Sequence, residues 1–359
     1  MTANRMTERQ EEMIRYLHGQ ADVCAMLGSP LYERLLDDAA EHVERGGVLW
    51  QVLEPFAGAP SAYGVPLKLM GAVHRLVLAG AAPQLAALYP SAGGELDLDR
   101  AWPAFEQAVA EHARQLPELI ERPVQTNEVG RCAALLGGFL TVARQSGLPL
   151  RLLELGASAG LNLRWDRYLY ESGEQRWGDP ASNVRLKLDP DSAPPLDVEA
   201  IVGSRRGCDM EPLDPCAERD RLTLLSYVWP DQRWRFEALR AALAEAESSP
   251  VIVEQADAAP WLEHALEEKI PNTATVVYHS LVMFWMDDGT RERIARTIHS
   301  AGGRATKRSP LAWLRMESGG ERAEVRLRVW PDGEDRVIAR AGYHGRPVEW
   351  LASDADSDA

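Results

Sequence analysis

The stretch Leu150-Arg-Leu-Leu-Glu-Leu155, followed by Gly156-Ala-Ser-Ala-Gly160, constrains this chain more than any other. A short apolar run bounded by glycine reads as a buried strand. The small residues after it form a tight turn, and a helix is expected from Leu161. Strand, glycine turn and helix make a unit in which backbone N–H groups can meet a ligand's polar atoms. The same residues also satisfy Gly-x-Ser-x-Gly, in which Ser158 would be a nucleophile. What lies on either side has to separate the two readings.

Upstream, the pattern is helical. Thr7 caps a run from Glu8 to His18, and Ser29-Pro30 opens another from Leu31 to Arg45, with proline in the first turn where its missing N–H costs little. Pro66 to Leu78 and Asp99 to Ile120 repeat the apolar spacing, the latter kinked or divided at Pro117. Cys132 to Arg144 is a further helix, with Thr126 or Asn127 as its expected N-cap. No period-two strand precedes Leu150.

Downstream, strands and helices alternate. Tyr168 to Leu188 reads as a hairpin-like excursion, and Val198 to Gly203 as a strand leading through a basic turn to Asp209. Asp220 to Trp229 and Asp231 to Glu247 are helical. Val251 to Glu254 and Ala274 to Tyr278 are buried strands rich in β-branched residues, with a helix at Trp261 to Lys269 between them. After a helix at Asp288 to Ser300, strands are expected at Leu311 to Met316, Ala323 to Trp330 and Asp335 to Ala341, the last two joined at Pro331-Asp-Gly333. The order implies an α/β fold: a Rossmann-like, doubly wound, mostly parallel sheet ending in an antiparallel hairpin. An all-helical domain over 1–123 would precede this domain at 124–352, and the acidic tail at 353–359 reads as disordered.

Composition narrows the partners. A net charge of -15 disfavours broad contact with nucleic acid or anionic membrane. No run approaches the roughly 18 apolar residues of a membrane span, and the polar N-terminus lacks a secretion signal, so a cytoplasmic protein is expected. The 4 cysteines are scattered without Cys-x-x-Cys, so neither a metal site nor a disulfide is expected.

Glu154-Leu-Gly-Ala-Ser-Ala-Gly160 resembles the first motif of class I S-adenosylmethionine-dependent methyltransferases, an acidic residue followed by Gly-x-Gly-x-Gly, with Ser158 in place of the middle glycine. More closely, Gln125-Thr-Asn-Glu, Leu153 to Asn162, Gly178-Asp-Pro, Arg206-Gly-Cys-Asp, Ser226 to Asp231 and Val277-Tyr-His-Ser280 resemble a bacterial family known as a domain of unknown function. That resemblance spans most of the chain. That family carries no established reaction, so this second resemblance implies a methyltransferase-like fold more firmly than methyl transfer; the first implies S-adenosylmethionine as cofactor, and a small molecule is the expected methyl acceptor.

On that reading Gly156, Ala157, Ser158, Gly160 and Asn162 surround the methionyl end, with Glu154 available to its amine. Asp209 would accept from the ribose hydroxyls, which makes the 168–188 excursion an insertion, and Asp257 would meet the adenine amino group. Tyr278, Phe284 and Trp285 would line the pocket, where aromatic faces attract a sulfonium. His279 is the candidate general base. Asn127, Glu128 and Arg131 would cover the cofactor or acceptor. Each also has an ordinary structural role: turn, helix cap, core aromatic or i, i+3 ion pair. Two other functions stay open. One is a non-catalytic protein that binds S-adenosylmethionine or a nucleotide. The other is a serine hydrolase, since Ser158, Asp257 and His279 or His344 occur in the α/β-hydrolase order, although that fold needs strands before its nucleophile. A nicotinamide dehydrogenase fits less well, because Gly-x-Gly-x-x-Gly is missing.

Overall fold

The computed structural model describes residues 6–60, 63–268 and 270–351. The acidic tail lies outside them. The chain divides into two compact units: Met1–Thr126 with Ala217–Glu237, and Asn127–Cys216 with Ala238–Ala359.

The described residues of the first unit form helices and no strand. These are α1 (Glu8–Met26), α2 (Pro30–Glu44), α3 (Val48–Leu53), α4 (Val65–Leu78), α5 (Pro83–Ala86), α6 (Leu98–Glu111) and α7 (Leu116–Glu121), joined later by α9 (Glu218–Ser226). Thr7 caps α1 in a reciprocal box with Gln10, and Ser29 caps α2. The helix expected over Asp99 to Ile120 is two. It breaks after Glu111, and Pro117 sits in the first turn of α7, where proline is tolerated. The unit is discontinuous, in contrast to the single boundary expected near residue 123. The returning segment supplies core and caps: Trp229 joins the apolar core, and Asp231 accepts from the Ser29 hydroxyl at 2.7 Å and the Leu31 N–H at 3.0 Å. His74 is buried between the Ser226 carbonyl and the Ser91 hydroxyl, and burial pushes its pKa down to about 4.

The second unit begins with α8 (Arg131–Ser146) and is built on one large sheet. Its strands are β1 (Leu150–Leu155), β5 (Val202–Asp209), β6 (Ile252–Gln255), β7 (Ala274–Ser280), β8 (Leu311–Ser318), β9 (Ala323–Trp330), β10 (Arg336–Ala341) and β11 (Val348–Trp350). The spatial order is β11-β10-β9-β8-β7-β1-β5-β6. From β6 to β8 neighbouring strands are parallel; from β8 to β11 they are antiparallel. The expected closing hairpin is therefore an antiparallel meander, lengthened by β11. From β1 the chain builds outward through β5 and β6, then returns to the other side of β1 for β7 and β8. The order thus reverses at β1, and such a reversal opens a crevice at the carboxyl ends of the strands.

Helices lie on both faces. Helix α8 crosses one face closely: a Cβ on Gly137 would overlap Trp350, and one on Gly138 would overlap Leu314. On the other face, α11 (Ala258–Glu267) and α12 (Asp288–Gly302) pack on Leu153, Leu155, Val277 and Leu311. Arg151, buried in β1, donates to the Ala265 and Glu268 carbonyls and so satisfies the end of α11. Helix α10 (Arg233–Ser248) carries the chain from the first unit into the second.

Between β1 and β5 the excursion folds as its own three-stranded sheet of β2 (Leu169–Ser172), β3 (Gln175–Gly178) and β4 (Arg185–Lys187), ordered β3-β2-β4. Phe139, Trp165 and Trp177 stack face to face beneath it, with centroids 4.4 and 5.1 Å apart.

Two other expectations change. The α-helix predicted from Leu161 is only a short 3-10 helix, Asn162–Arg167. Buried Arg164 donates back to the Gly160 carbonyl and across to the Ser249 carbonyl, while Leu163 and Trp165 are buried, so the segment packs inward and stops. The strand expected over Val198 to Gly203 is instead β5, which runs through the basic residues: Arg205 is neutralised by Asp166 and Arg206 by Glu254.

Candidate functional site

The candidate site is the carboxyl edge of β1, β5, β6 and β7. The turn after β1 is shaped by left-handed backbone at Gly156 (φ 68), Ser158 (φ 52) and Gly160 (φ 67). Ser158 thus adopts a backbone conformation that favours glycine, at a local cost. Its glycines are required by the protein itself. A Cβ on Gly160 would stand 2.7 Å from Val251 Cγ2 and 2.9 Å from Val253 Cγ2; one on Gly156 would stand 2.5 Å from Val282 Cγ2. The left-handed backbone at both glycines adds strain to that overlap.

Much of the turn's hydrogen-bonding capacity is used internally. The Ala157 N–H donates to the Cys208 carbonyl, Ser158 N–H to Asp209 Oδ2 at 2.8 Å, Gly160 N–H to the Ala157 carbonyl, and Leu161 N–H to Asn127 Oδ1 at 2.9 Å. Asn127 therefore braces the glycine turn. It is not the N-cap of α8, whose cap position is Gly130 and carries no side-chain bond. Asn162 is buried beside it and accepts from the Cys132 thiol.

Glu154 is the buried acid of this edge. Its register partner across the parallel pairing is Tyr278, whose hydroxyl donates to Glu154 Oε2 at 3.0 Å. Burial pushes the Glu154 pKa up to about 8, against the Tyr278 hydrogen bond, which lowers it. The carboxyl is therefore mostly neutral at pH 7. Asp209, the last residue of β5, accepts from Ser158 N–H and, through Oδ1, from Glu211 N–H. Asp257 follows β6 and caps α11 by accepting from Ala259 N–H at 2.9 Å. Three carboxyl groups thus stand at the ends of three adjacent strands.

His279 is not brought to this group. Side chains alternate along a strand, so with Tyr278 on the α8 face, His279 lies on the other. It is fully buried, and both ring nitrogens are engaged: Nε2 accepts from Trp313 Nε1 at 3.1 Å, and Nδ1 meets Glu317 Oε1 at 2.7 Å. The backbone N–H of Ser158 is given to Asp209, and Asp257 Oδ1 is spent on the cap of α11. With both ring nitrogens engaged by Glu317 and Trp313, His279 does not complete a relay with Ser158 and Asp257, whose members must bond one another in sequence.

Glu128 is buried, with Oε1 accepting from Gly130 N–H at 3.4 Å and Oε2 lying 3.4 Å from His344 Nδ1. Arg131 donates to the Tyr343 and Ser280 carbonyls. Both therefore tie the start of α8 to the loop after β10, and Arg131 also reaches the end of β7. Trp285 follows β7 in a loop and is exposed. Sequence reading missed Glu317 and Trp313, because a period-two pattern ending at Met316 gave no sign that the strand continues to a carboxylate facing His279.

The family described as "Uncharacterized protein conserved in bacteria (DUF2332)" has a model that matches residues 15–350. The chain belongs to this family. No curated protein and no solved structure matches it. Among the described residues no helix is long and apolar enough to cross a membrane.

Proposed function

We propose that this member of the family is an S-adenosylmethionine-dependent methyltransferase with a Rossmann-like core, acting on a small-molecule acceptor. The observation that carries the reading is the run of Glu154, Asp209 and Asp257 at the ends of β1, β5 and β6, beside the motif turn, where the strand order reverses. The donor set suits such a ligand. Buried Glu154 is held neutral by burial, and a ligand ammonium would supply the charge that restores its carboxylate. Asp209 uses one bond on each oxygen, leaving acceptor capacity for hydroxyls. Asp257 spends Oδ1 on its cap. The cofactor itself supplies an activated methyl group, so the chain need only bind, orient and exclude water. With His279 engaged, we assign the protein no base, which suits an acceptor that loses its proton without help.

That same engagement favours a second reading, a protein that binds S-adenosylmethionine or a nucleotide without catalysis. Calorimetric titration of the full chain with S-adenosylmethionine and S-adenosylhomocysteine tests the binding they share. Binding should release a proton at neutral pH as Glu154 ionises, seen as a heat that depends on buffer ionisation, and Glu154→Gln should abolish that dependence. Folded protein that binds neither ligand at millimolar concentration overturns both readings.

A further inference from the structure

We infer that Phe284 and Trp285 form the landing platform for the acceptor, and that the acceptor is a flat aromatic small molecule. The inference deepens the reading above and rests on it for the word acceptor. Phe284 is 56% and Trp285 47% exposed, the exposed phenylalanine and tryptophan of the described residues. Their rings touch, with centroids 4.4 Å apart and planes tilted by 38°. Singly exposed apolar side chains are ordinary; here two rings touch, at the carboxyl edge of the sheet beside the turn after β1.

The loop that carries them is rigidly held. Leu281 takes a left-handed turn (φ 51) and donates its N–H to the Met316 carbonyl. Val282 and Met283 N–H both donate to Glu317 Oε1, at 3.3 and 3.5 Å. Trp285 and Met286 N–H bond back to the Val282 and Met283 carbonyls, and Arg291 donates to the Met283 carbonyl. Glu317 is itself fixed by His279, and His279 by Trp313. His279 is thus a positioning residue for the loop. A platform built in this way loses little freedom when a ligand covers it.

Place and size select the occupant. Val282 packs against Gly156, so the loop borders the motif turn directly. On the other side of β1, Met210 follows β5 and is 66% exposed. An aromatic residue covers about 150–250 Å² when buried, so two half-exposed rings offer on the order of 200 Å², far below the roughly 800 Å² per partner of a stable protein interface. That area fits a ring system, and aromatic faces prefer another flat π-face over a saturated one of similar size.

The test uses naphthol, its saturated counterpart decahydronaphthol, and tetramethylammonium as probes, titrated by ligand-observed NMR into the full chain with S-adenosylhomocysteine present. Naphthol should bind saturably, with decahydronaphthol about three- to tenfold weaker. Trp285→Leu, which keeps an apolar side chain but loses the ring, should weaken naphthol by a similar about three- to tenfold factor, and Trp285→Phe should largely restore it. Equal affinity for the flat and saturated rings, an unchanged Trp285→Leu variant, tighter binding of tetramethylammonium, or a dimer that Trp285→Ala dissociates would each overturn the inference. S-adenosylhomocysteine binding without naphthol binding overturns the platform and leaves the cofactor reading standing. Naphthol binding without S-adenosylhomocysteine binding keeps the platform and overturns that reading.

Discussion

Tyr278 and His279 are neighbours on one strand, yet they hold two carboxyl groups in opposite circumstances. Tyr278 reaches Glu154 on the α8 face, where burial outweighs a single phenol hydrogen bond and pushes the acid's pKa up to about 8. His279 reaches Glu317 on the other face, where the carboxylate also accepts from the Val282 and Met283 N–H groups. The first arrangement leaves an acid waiting for a charge. The second is a finished structural joint. The lesson is that the partner set around a residue type decides its state: the histidine is committed to architecture, while burial holds the glutamate towards its neutral form.

The largest expected effect concerns Glu154. Its folded pKa lies above its unfolded value, so the native state holds a proton that the unfolded state releases. The stability contribution is intact below the unfolded pKa and is lost as pH rises through the window up to about 8. Within that window stability should fall by up to ~1.4 kcal/mol per pH unit relative to Glu154→Gln, read as the difference in slope between two denaturant-melting series. Parallel slopes would mean that Glu154 is ionised like an ordinary surface acid. Next, His279→Ala removes a buried ring and strands the Trp313 N–H, which should cost about 2–4 kcal/mol. A loss near zero would break the contrast by showing that the joint is not structural. Smaller still, Tyr278→Phe should cost ~1 kcal/mol and move the upper edge of the Glu154 window to higher pH, since the lost hydrogen bond had favoured the carboxylate. Least of all, Trp285→Ala should leave stability within ~0.5 kcal/mol, because a half-exposed ring contributes little to folding.

Much of the sheet was legible in advance because its strands are written either as short apolar-rich runs or in apolar–polar alternation. Leu150–Leu155 and Ala323–Trp330 have the bounds that their patterns predict. Strand β5 hides because Ser204, Arg205 and Arg206 look like a turn until Asp166 and Glu254 neutralise the arginines from distant parts of the chain. The missing helix after Gly160 hides for a similar reason. Leu161 to Arg167 has helical composition, but the inward bonds of Arg164 and the aromatic stack on Trp165 are tertiary. At the site, the motif showed which residues gather. It could not show that Asn127 and Asp209 brace the turn, nor which face His279 takes, because register across strands decides both.

The discontinuity of the helical unit has a consequence for synthesis. Ser29 and Leu31 find their acceptor in Asp231, some 200 positions later in the chain. At about 5–20 residues per second, the start of α2 leaves the ribosome roughly 10–40 s before Asp231 does. Through that interval the helices lack Trp229 in their core and the carboxylate at the start of α2, while β1 and β5 are already emerging. The helical unit, first to be started, therefore cannot close until the segment ending at Glu237 has been made, after β1 and β5 but still ahead of β6 to β11.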